Sequence, residues 1–488
     1  MSGTTRGSSL DAELRELLGE HWITDASTLE ALREDRSGLI AKGRGIGLAE
    51  PADTEQTAAV LRIAAAHGIP VVPRGAGTGL AGGGVVGAGR IALSTARLNR
   101  IREIDPVDQI AVVGAGVINA ELDRAARAHG LRYAPDPASR TISTIGGNIA
   151  TNAGGLLCAK YGVTREAVLG LTVVLADGRI LRTGRRSVKG VTGYDLTALI
   201  VGSEGTLGVV TEAIVRLIPR SEVEPITVGA VLPSLGAALD LCRELQSEGQ
   251  RPALLEIMDP RSLAAVTAYL PEAQRPGPFS DPLRDGSAAV IVQWDSEGAG
   301  AAAERATRLV AVAGGWAIRC EDEAGGERVL GVRRAMNPAL PNGSDVLIED
   351  VCVPRSRLGE MYAAIARIEA ETGIEIPTAG HAADGNLHPH LSVRAEERTP
   401  GGEIPERVWE AASRVFRAAL DLGGTLTGEH GIGVLKARWL RDELGDESFA
   451  LQRGIRRLFD PRGQLNPDAM FPADPPSADA NANGDTVP

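Results

Sequence analysis

Three stretches of the chain are dominated by glycine: 73–89 (PRGAGTGLAGGGVVGAG), 144–155 (TIGGNIATNAGG) and 202–210 (GSEGTLGVV). Glycine reaches left-handed backbone conformations and lets other groups approach the main chain, at a cost to helix and strand stability. One such stretch would serve a turn. Three, spread over about 140 residues and interleaved with Ser, Thr and Asn, predict several loops converging on one large phosphate-bearing ligand. Consecutive backbone N–H groups with little side-chain bulk form anion-binding nests, and Thr78, Ser139, Thr144, Thr151 and Asn152 add neutral donors. Glycine is 60 of 488 residues, well above the usual share of about 7%.

Two segments imitate a nicotinamide fingerprint. Gly77–Gly82 fits G-x-G-x-x-G and follows a strand, but the fingerprint must also open a helix that carries the pyrophosphate. Here it runs into Gly82, Gly83 and Gly84, which cannot sustain one. Gly114-Ala115-Gly116 precedes a predicted helix from Asn119, but Asn119 stands where the third glycine belongs. It reads as an ordinary β-turn-α connection. An NAD-dependent dehydrogenase built on it is one rival reading.

The length implies about three domains. A formal net charge of −12 gives no basic face for nucleic acid and no polybasic membrane anchor. The four cysteines form no C-x-x-C pair, so neither an iron–sulfur cluster nor a zinc knuckle is expected, and a reducing, cytoplasmic compartment fits. No signal peptide and no run of 18 apolar residues is evident. The pattern divides into a helical segment 1–44, a glycine-rich region 45–221 and a strand–helix alternation 222–440. A C-terminal segment 441–472 and a disordered tail 473–488 follow. A Pro/Gly-rich surface loop is expected at 271–287. The fold class is α+β.

Of seven histidines, four lie within 50 residues. His21, His67 and His129 need only a surface tail and two helix ends. His381, His388 and His390 lie in GHAADGNLHPH, where Asp384-Gly385 marks a turn and the strand that follows places His388 and His390 on one face. His430 lies in TGEHGIG beside Glu429. Two imidazoles and a carboxylate are a divalent-metal set compatible with zinc, manganese or iron(II). Hydrogen-bonded core histidines are the competing reading, and a metallohydrolase is a second rival function.

Taken together, PRGAGTG (73–79), TIGGN (144–148), TNAGG (151–155) and GSEGTLG (202–208) resemble the FAD-linked 2-hydroxy-acid oxidases and dehydrogenases. That family includes the glycolate oxidase flavin subunit, D-lactate dehydrogenases and D-2-hydroxyglutarate dehydrogenase. The likeness runs from about residue 45 to 472. It implies the vanillyl-alcohol oxidase / p-cresol methylhydroxylase fold: a FAD-binding domain of two α+β subdomains plus an α+β cap domain with an antiparallel sheet.

The resemblance implies non-covalent FAD on Arg74, Gly75, Ala76, Gly77, Thr78, Gly79 and Leu80, and on Pro135, Asp136 and Ser139. It extends to Thr144, Gly146, Gly147, Asn148, Thr151, Asn152, Ala153 and Gly154, then to Glu204, Gly205, Gly208, Val209 and Asn466. Cys158, the one nearby nucleophile, is expected free. GHxxDGNLH and GEHG match the family's metal-binding and catalytic segments. They imply His381, His388 and Glu429 as ligands of a divalent metal, zinc first, and His430 as general base. Arg333 corresponds to the substrate-carboxylate arginine; Leu330 stands where a tryptophan is usual, and the roles of Arg334 and His390 are left open. Ile348 is apolar where members using dicarboxylates carry lysine.

The function implied is FAD-dependent oxidation of a D-2-hydroxy acid of the lactate or glycolate type. D-2-hydroxyglutarate is the alternative within the family. The electron acceptor would be external: a quinone, an electron-transfer flavoprotein, a cytochrome or oxygen. Peripheral membrane contact and a homodimer are left open.

Overall fold

The computed structural model describes residues 3–247, 251–340, 346–397 and 403–471; the tail 473–488 lies outside them. The helix Thr54–His67 forms where the sequence signals it. The Asp53 carboxylate accepts the Gln56 N–H, and Gly68 closes the helix at φ 66°. It is the return between two strands of a four-stranded sheet, in the order Trp22–Ile23, Gly47–Ala49, Ile91–Ser94, Val71–Arg74. The last three run parallel. The first glycine tract links Val71–Arg74 to Ile91–Ser94 without any helix, so the Gly77–Gly82 pattern opens none.

A five-stranded antiparallel sheet follows, in the order Ile101–Asp105, Ile110–Gly114, Val209–Arg216, Val168–Val174, Ile180–Gly184. Asp177-Gly178 turns its hairpin, with Gly178 at φ 82°. At Gly114 a Cβ would lie 2.0 Å from the Leu98 carbonyl oxygen, and at Gly116 2.2 Å from that of Thr95. Those glycines let two backbones cross, and the sheet around them is antiparallel, which removes the nicotinamide reading.

Two expectations need correction. The second glycine tract, read as a loop, contains the helix Ile145–Thr151. Thr144 caps it by accepting the Gly147 N–H, and Asn152 ends it at φ 52°. Ile145 and Ile149 bury in the core, and Gly146 lies where a Cβ would come 2.6 Å from that of Ala115. Packing therefore overrides propensity. The 271–287 segment is not merely surface. Its short turn Gly277–Phe279 places Phe279 at 0% exposure, against Gly229.

The remaining chain builds an eight-stranded sheet. Its path runs Trp316–Cys320, Ile226–Leu232, Ala288–Trp294, Leu254–Met258, Thr378–His381, Asn386–Ser392, Val346–Ile348, and Val351–Cys352 also pairs with Asn386–Ser392. Both faces are covered, as the largely apolar central strands Ile226–Leu232, Ala288–Trp294 and Leu254–Met258 require. Leu255, Ile257, Val290 and Val292 meet the helices Leu235–Gln246, Ala299–Val312, Leu358–Thr372 and Glu406–Asp421. Leu254, Met258, Ala289 and Ile291 meet Pro260–Tyr269 and Glu323–Arg334. The chain then returns to the first sheet. Leu465 bridges to Val71, and the Arg456 guanidinium donates to the carbonyls of Leu465, Asn466, Ala469 and Phe471. No helix among the described residues is long and apolar enough to cross a membrane.

Phe279→Ala should cost about 3–5 kcal/mol, the usual penalty for emptying a fully buried phenyl site. Hydrogen exchange should speed up in Ile226–Leu232 and Trp316–Cys320. Unchanged protection there would return the segment to surface loop.

Candidate active site

A cavity of about 720 Å³ lies where the glycine tracts meet the eight-stranded sheet. Arg74, Gly75, Ala76, Gly77, Thr78, Gly79 and Leu80 line it, with Asp136, Ser139, Thr144, Gly146, Gly147, Asn148, Thr151, Ala153 and Gly154. Glu204, Gly205, Gly208 and Val209 complete one part of the wall, and Arg333, Arg334, Ile348, His381, His388, Glu429 and His430 form another. The glycines are a steric necessity at several points. A Cβ on Gly75 would meet Thr144 Oγ1 at 2.6 Å, and one on Gly154 would meet Glu429 Oε2 at 2.8 Å.

Three expected residues stand apart from the lining. Pro135 presents its carbonyl to the Asn119 amide. Asn152 closes the helix and accepts the Arg165 N–H. Asn466 donates to the carbonyls of Gly83 and Glu204. These residues hold the walls together. Arg74 lines the cavity, but its guanidinium is tied to the carbonyls of Gly84 and Glu34. Glu204 likewise receives the N–H groups of Ile432 and Gly433 at 2.7 and 2.6 Å. Burial pushes its carboxyl up to about 7 against those donors.

The two histidine segments converge. His381 ends the strand Thr378–His381, and Gly385, at φ 91°, turns the chain so that Asn386–Ser392 returns beside it. His381 Nε2 lies 3.2 Å from His388 Nε2. Glu429 Oε1 lies 3.4 Å from the former and 3.1 Å from the latter. Among the described residues these three form the one group whose donor atoms could share a cation. Cavity-facing Nε2 atoms with a carboxylate between them suit a divalent ion, and a carboxylate behind one imidazole is the usual outer support. That support is Glu256, with Oε1 and Oε2 2.7 and 2.9 Å from His381 Nδ1. Burial opposes charge on Glu256 and Glu429. The neighbouring imidazoles, with Arg333 beside Glu256, offset it and hold both carboxyls below their ordinary range. His390 stays outside the group: its Nδ1 donates to the His388 carbonyl, and burial holds it neutral at about 3.

His430 stacks on His388, ring centroids 5.1 Å apart. Its Nδ1 lies 3.5 Å from Asp350 Oδ1. Burial keeps the imidazole neutral, with a pKa of about 4, against the pull of that carboxylate. Asp350 also receives Thr427 Oγ1, the N–H groups of Gly428 and Glu429, and Lys436 Nζ. Arg333 donates from Nε to Glu256 at 2.8 Å, and among the described residues its terminal nitrogens have no other partner. Arg334 is occupied by Glu327 at 2.5 Å. The Cys158 thiol accepts the Gly155 N–H, and burial raises its pKa, so nothing activates it as a nucleophile.

Glu256, Asp350, Glu349 and Lys436 were not singled out from sequence. Glu256 carried one signal, a lone acid inside the apolar strand LLEIM.

A family model described as "FAD binding domain" matches residues 46–184, and "FAD linked oxidases, C-terminal domain" matches 224–470. The chain belongs to the FAD-linked oxidases. It is an FAD-linked oxidoreductase. Glycolate oxidase subunit GlcD of Bacillus subtilis (strain 168) is 39% identical over 87% of this chain and 88% of its own. D-lactate dehydrogenase of Archaeoglobus fulgidus is 38% identical over 86% and 89%. D-2-hydroxyglutarate dehydrogenase of Xanthomonas citri pv. viticola is 33% identical over 87% and 89%. The fold is that of p-cresol methylhydroxylase, whose substrate-bound crystal structure superposes with TM-score 0.73 at 17% identity over 96% of this chain and 97% of that one. 4-Ethylphenol oxidase from Gulosibacter chungangensis gives 0.74 at 19% over 96% and 98%.

Asp136 supplies a pH test. Burial raises its carboxyl to about 6, although Arg140 Nε stands 3.2 Å away. The folded state therefore holds a proton that the unfolded chain releases near pH 4. This group's contribution to stability is present at low pH and is lost as pH rises from about 4 through about 6. Asp136→Asn should remove that decline, so the thermal midpoint of the variant gains on wild type between pH 4.5 and 7, as pH-resolved melting would show. Parallel curves would refute the shift.

Proposed function

We propose that this FAD-linked oxidoreductase oxidises a short D-2-hydroxy acid, of the lactate or glycolate kind, to the 2-oxo acid. The observation that carries the reading is the meeting of Arg333, His430 and the His381–His388–Glu429 trio on the wall of the cavity that the glycine tracts also line. The names of the relatives, glycolate oxidase and D-lactate dehydrogenase, support it. Ile348, buried on the cavity wall, offers no partner to a second carboxylate. That favours a monocarboxylate over 2-hydroxyglutarate.

FAD, when bound, supplies the two-electron acceptor for the hydrogen on C2. His381, His388 and Glu429 would hold a divalent cation, zinc first, which would supply Lewis acidity at the substrate hydroxyl. The protein's own part is positional and electrostatic. Arg333, fixed at Nε by Glu256, presents its terminal nitrogens to the substrate carboxylate as a charge-assisted pair. His430, neutral and with Nδ1 turned to Asp350, accepts the hydroxyl proton at Nε2. Asp350 then faces the imidazolium so formed, and the Asp350–Lys436 pair keeps that carboxylate charged although it is buried.

His430→Asn should retain FAD while D-lactate or glycolate reduces the flavin about 10²–10⁴ times more slowly, the usual contribution of a positioned base. Stopped-flow bleaching under anaerobic conditions measures it; a wild-type rate rules out His430 as base. Removing the cation by chelation should abolish bleaching with the flavin spectrum intact, and zinc should restore it. Full activity in protein shown to be metal-free would take the cation out of the reaction.

A further inference from the structure

Glu256 is the side chain on which two separate tasks meet. It lies at the centre of the strand Leu254–Met258, between Leu254 and Met258 on the face that packs against the helix Glu323–Arg334. Its side chain is 1% exposed. Every other residue of that strand is apolar, so a charge here is costly unless it is paired on both oxygens. It is so paired. The backbone register sets Glu256 opposite His381, which brings His381 Nδ1 to 2.7 Å from Oε1 and 2.9 Å from Oε2. From the other side Arg333 Nε donates to Oε2 at 2.8 Å. His381 reaches Glu429 and His388 through its remaining nitrogen, and Arg333 reaches the cavity through its terminal nitrogens.

We propose that Glu256 is a positioning residue that couples the cation site to the carboxylate clamp, holding His381 with Nδ1–H directed at the Glu256 carboxylate and Nε2 free for the cation while locking the Arg333 fork toward the substrate. The proposal rests on the reading of the trio as a cation site and of Arg333 as the clamp. Its physical content is geometric. A carboxylate has two acceptor oxygens and no donor, so it satisfies His381 Nδ1–H and Arg333 Nε–H together. A glutamine at this position has one acceptor and an NH₂ group. Whichever way the amide turns, its NH₂ faces one of the two donors. Facing His381, it favours the other tautomer and puts a proton on Nε2, where the cation must bind. Facing Arg333, it pushes the guanidinium off its orientation. Because both partners share one group, disturbing either is felt by the other, as linkage requires.

The test is Glu256→Gln in the FAD-loaded enzyme, beside wild type. The readouts are zinc affinity by competition with a chromophoric chelator, and KM and kcat for D-lactate or glycolate. The expected result is a fall of roughly 10–100-fold in zinc affinity, the range seen when an outer-shell partner is lost. KM at saturating zinc should rise by at least about tenfold, the loss of one charge-assisted bond. FAD content and the flavin spectrum should stay at wild-type values. Wild-type zinc affinity, or a wild-type KM, would overturn the coupling, since the carboxylate would then serve one partner or neither. Wild-type enzyme that binds no zinc would instead overturn the cation reading itself, and the coupling with it. If Glu256→Gln fails to fold, Arg333→Lys reads the same link from the other end. It removes the Nε donor and touches no ligand of the trio, yet it should weaken zinc binding several-fold, whereas Arg334→Lys, whose partner is Glu327, should not. Equal zinc affinity in the two lysine variants would refute the coupling.

Discussion

Asp350 has no solvent exposure, so its charge must be met by donors or not exist. Those donors come from Thr427, Gly428, Glu429 and Lys436. A single buried carboxylate therefore fixes the conformation of the loop that carries both Glu429 and His430. The same logic recurs at Glu204, which takes two N–H groups from Ile432 and Gly433, and at Glu256. Each acid draws together segments distant in sequence, because satisfying it requires donors that its own element cannot offer.

The cavity has a second constraint, which is room. The tracts lining it pass close to one another and to the histidine loop, so side chains at Gly75 or Gly154 would collide with Thr144 or Glu429. What remains is a wall made largely of backbone. It suits the large cofactor of the FAD-binding family to which the chain belongs, with the glycine tracts at one end and the histidines and Arg333 at the other. The two ends are built by different sheets, and the C-terminal return, bridging Leu465 to Val71 and holding Asn466 against Gly83 and Glu204, helps keep their walls in register.

Much of this was legible in the chain. The helix Thr54–His67 announces itself by Asp53 and Gly68, the hairpin by Asp177-Gly178, and the segments that bring histidines to the cavity by a rare residue clustered among glycines. Other parts were not. The helix Ile145–Thr151 contains two glycines and no propensity signal; it exists because Ile145 and Ile149 find a core. Phe279 sits in a Pro/Gly-rich stretch that reads as surface, and only the pocket beside Gly229 shows it to be buried. Asn152 and Asn466 carry family motifs yet brace backbone. Glu256, Asp350 and Lys436 are common charged residues with no local pattern, and their roles appear only when residues 77 to 125 positions away are brought beside them.

The sequence by itself determined which residue types are concentrated where: glycine tracts for a backbone-lined cavity, and four of seven histidines within 50 residues, one of them beside an acid. It did so because these depend on residue type and short spacing. Only the tertiary structure decided which charges share partners. Pairing of buried groups depends on strand register and on which helix faces which sheet face, and those are properties of the whole fold. Glu256 standing opposite His381 and under Arg333 is the clearest case. No window along the chain contains that arrangement, yet the low dielectric of the interior makes it the condition on which both groups are held in place.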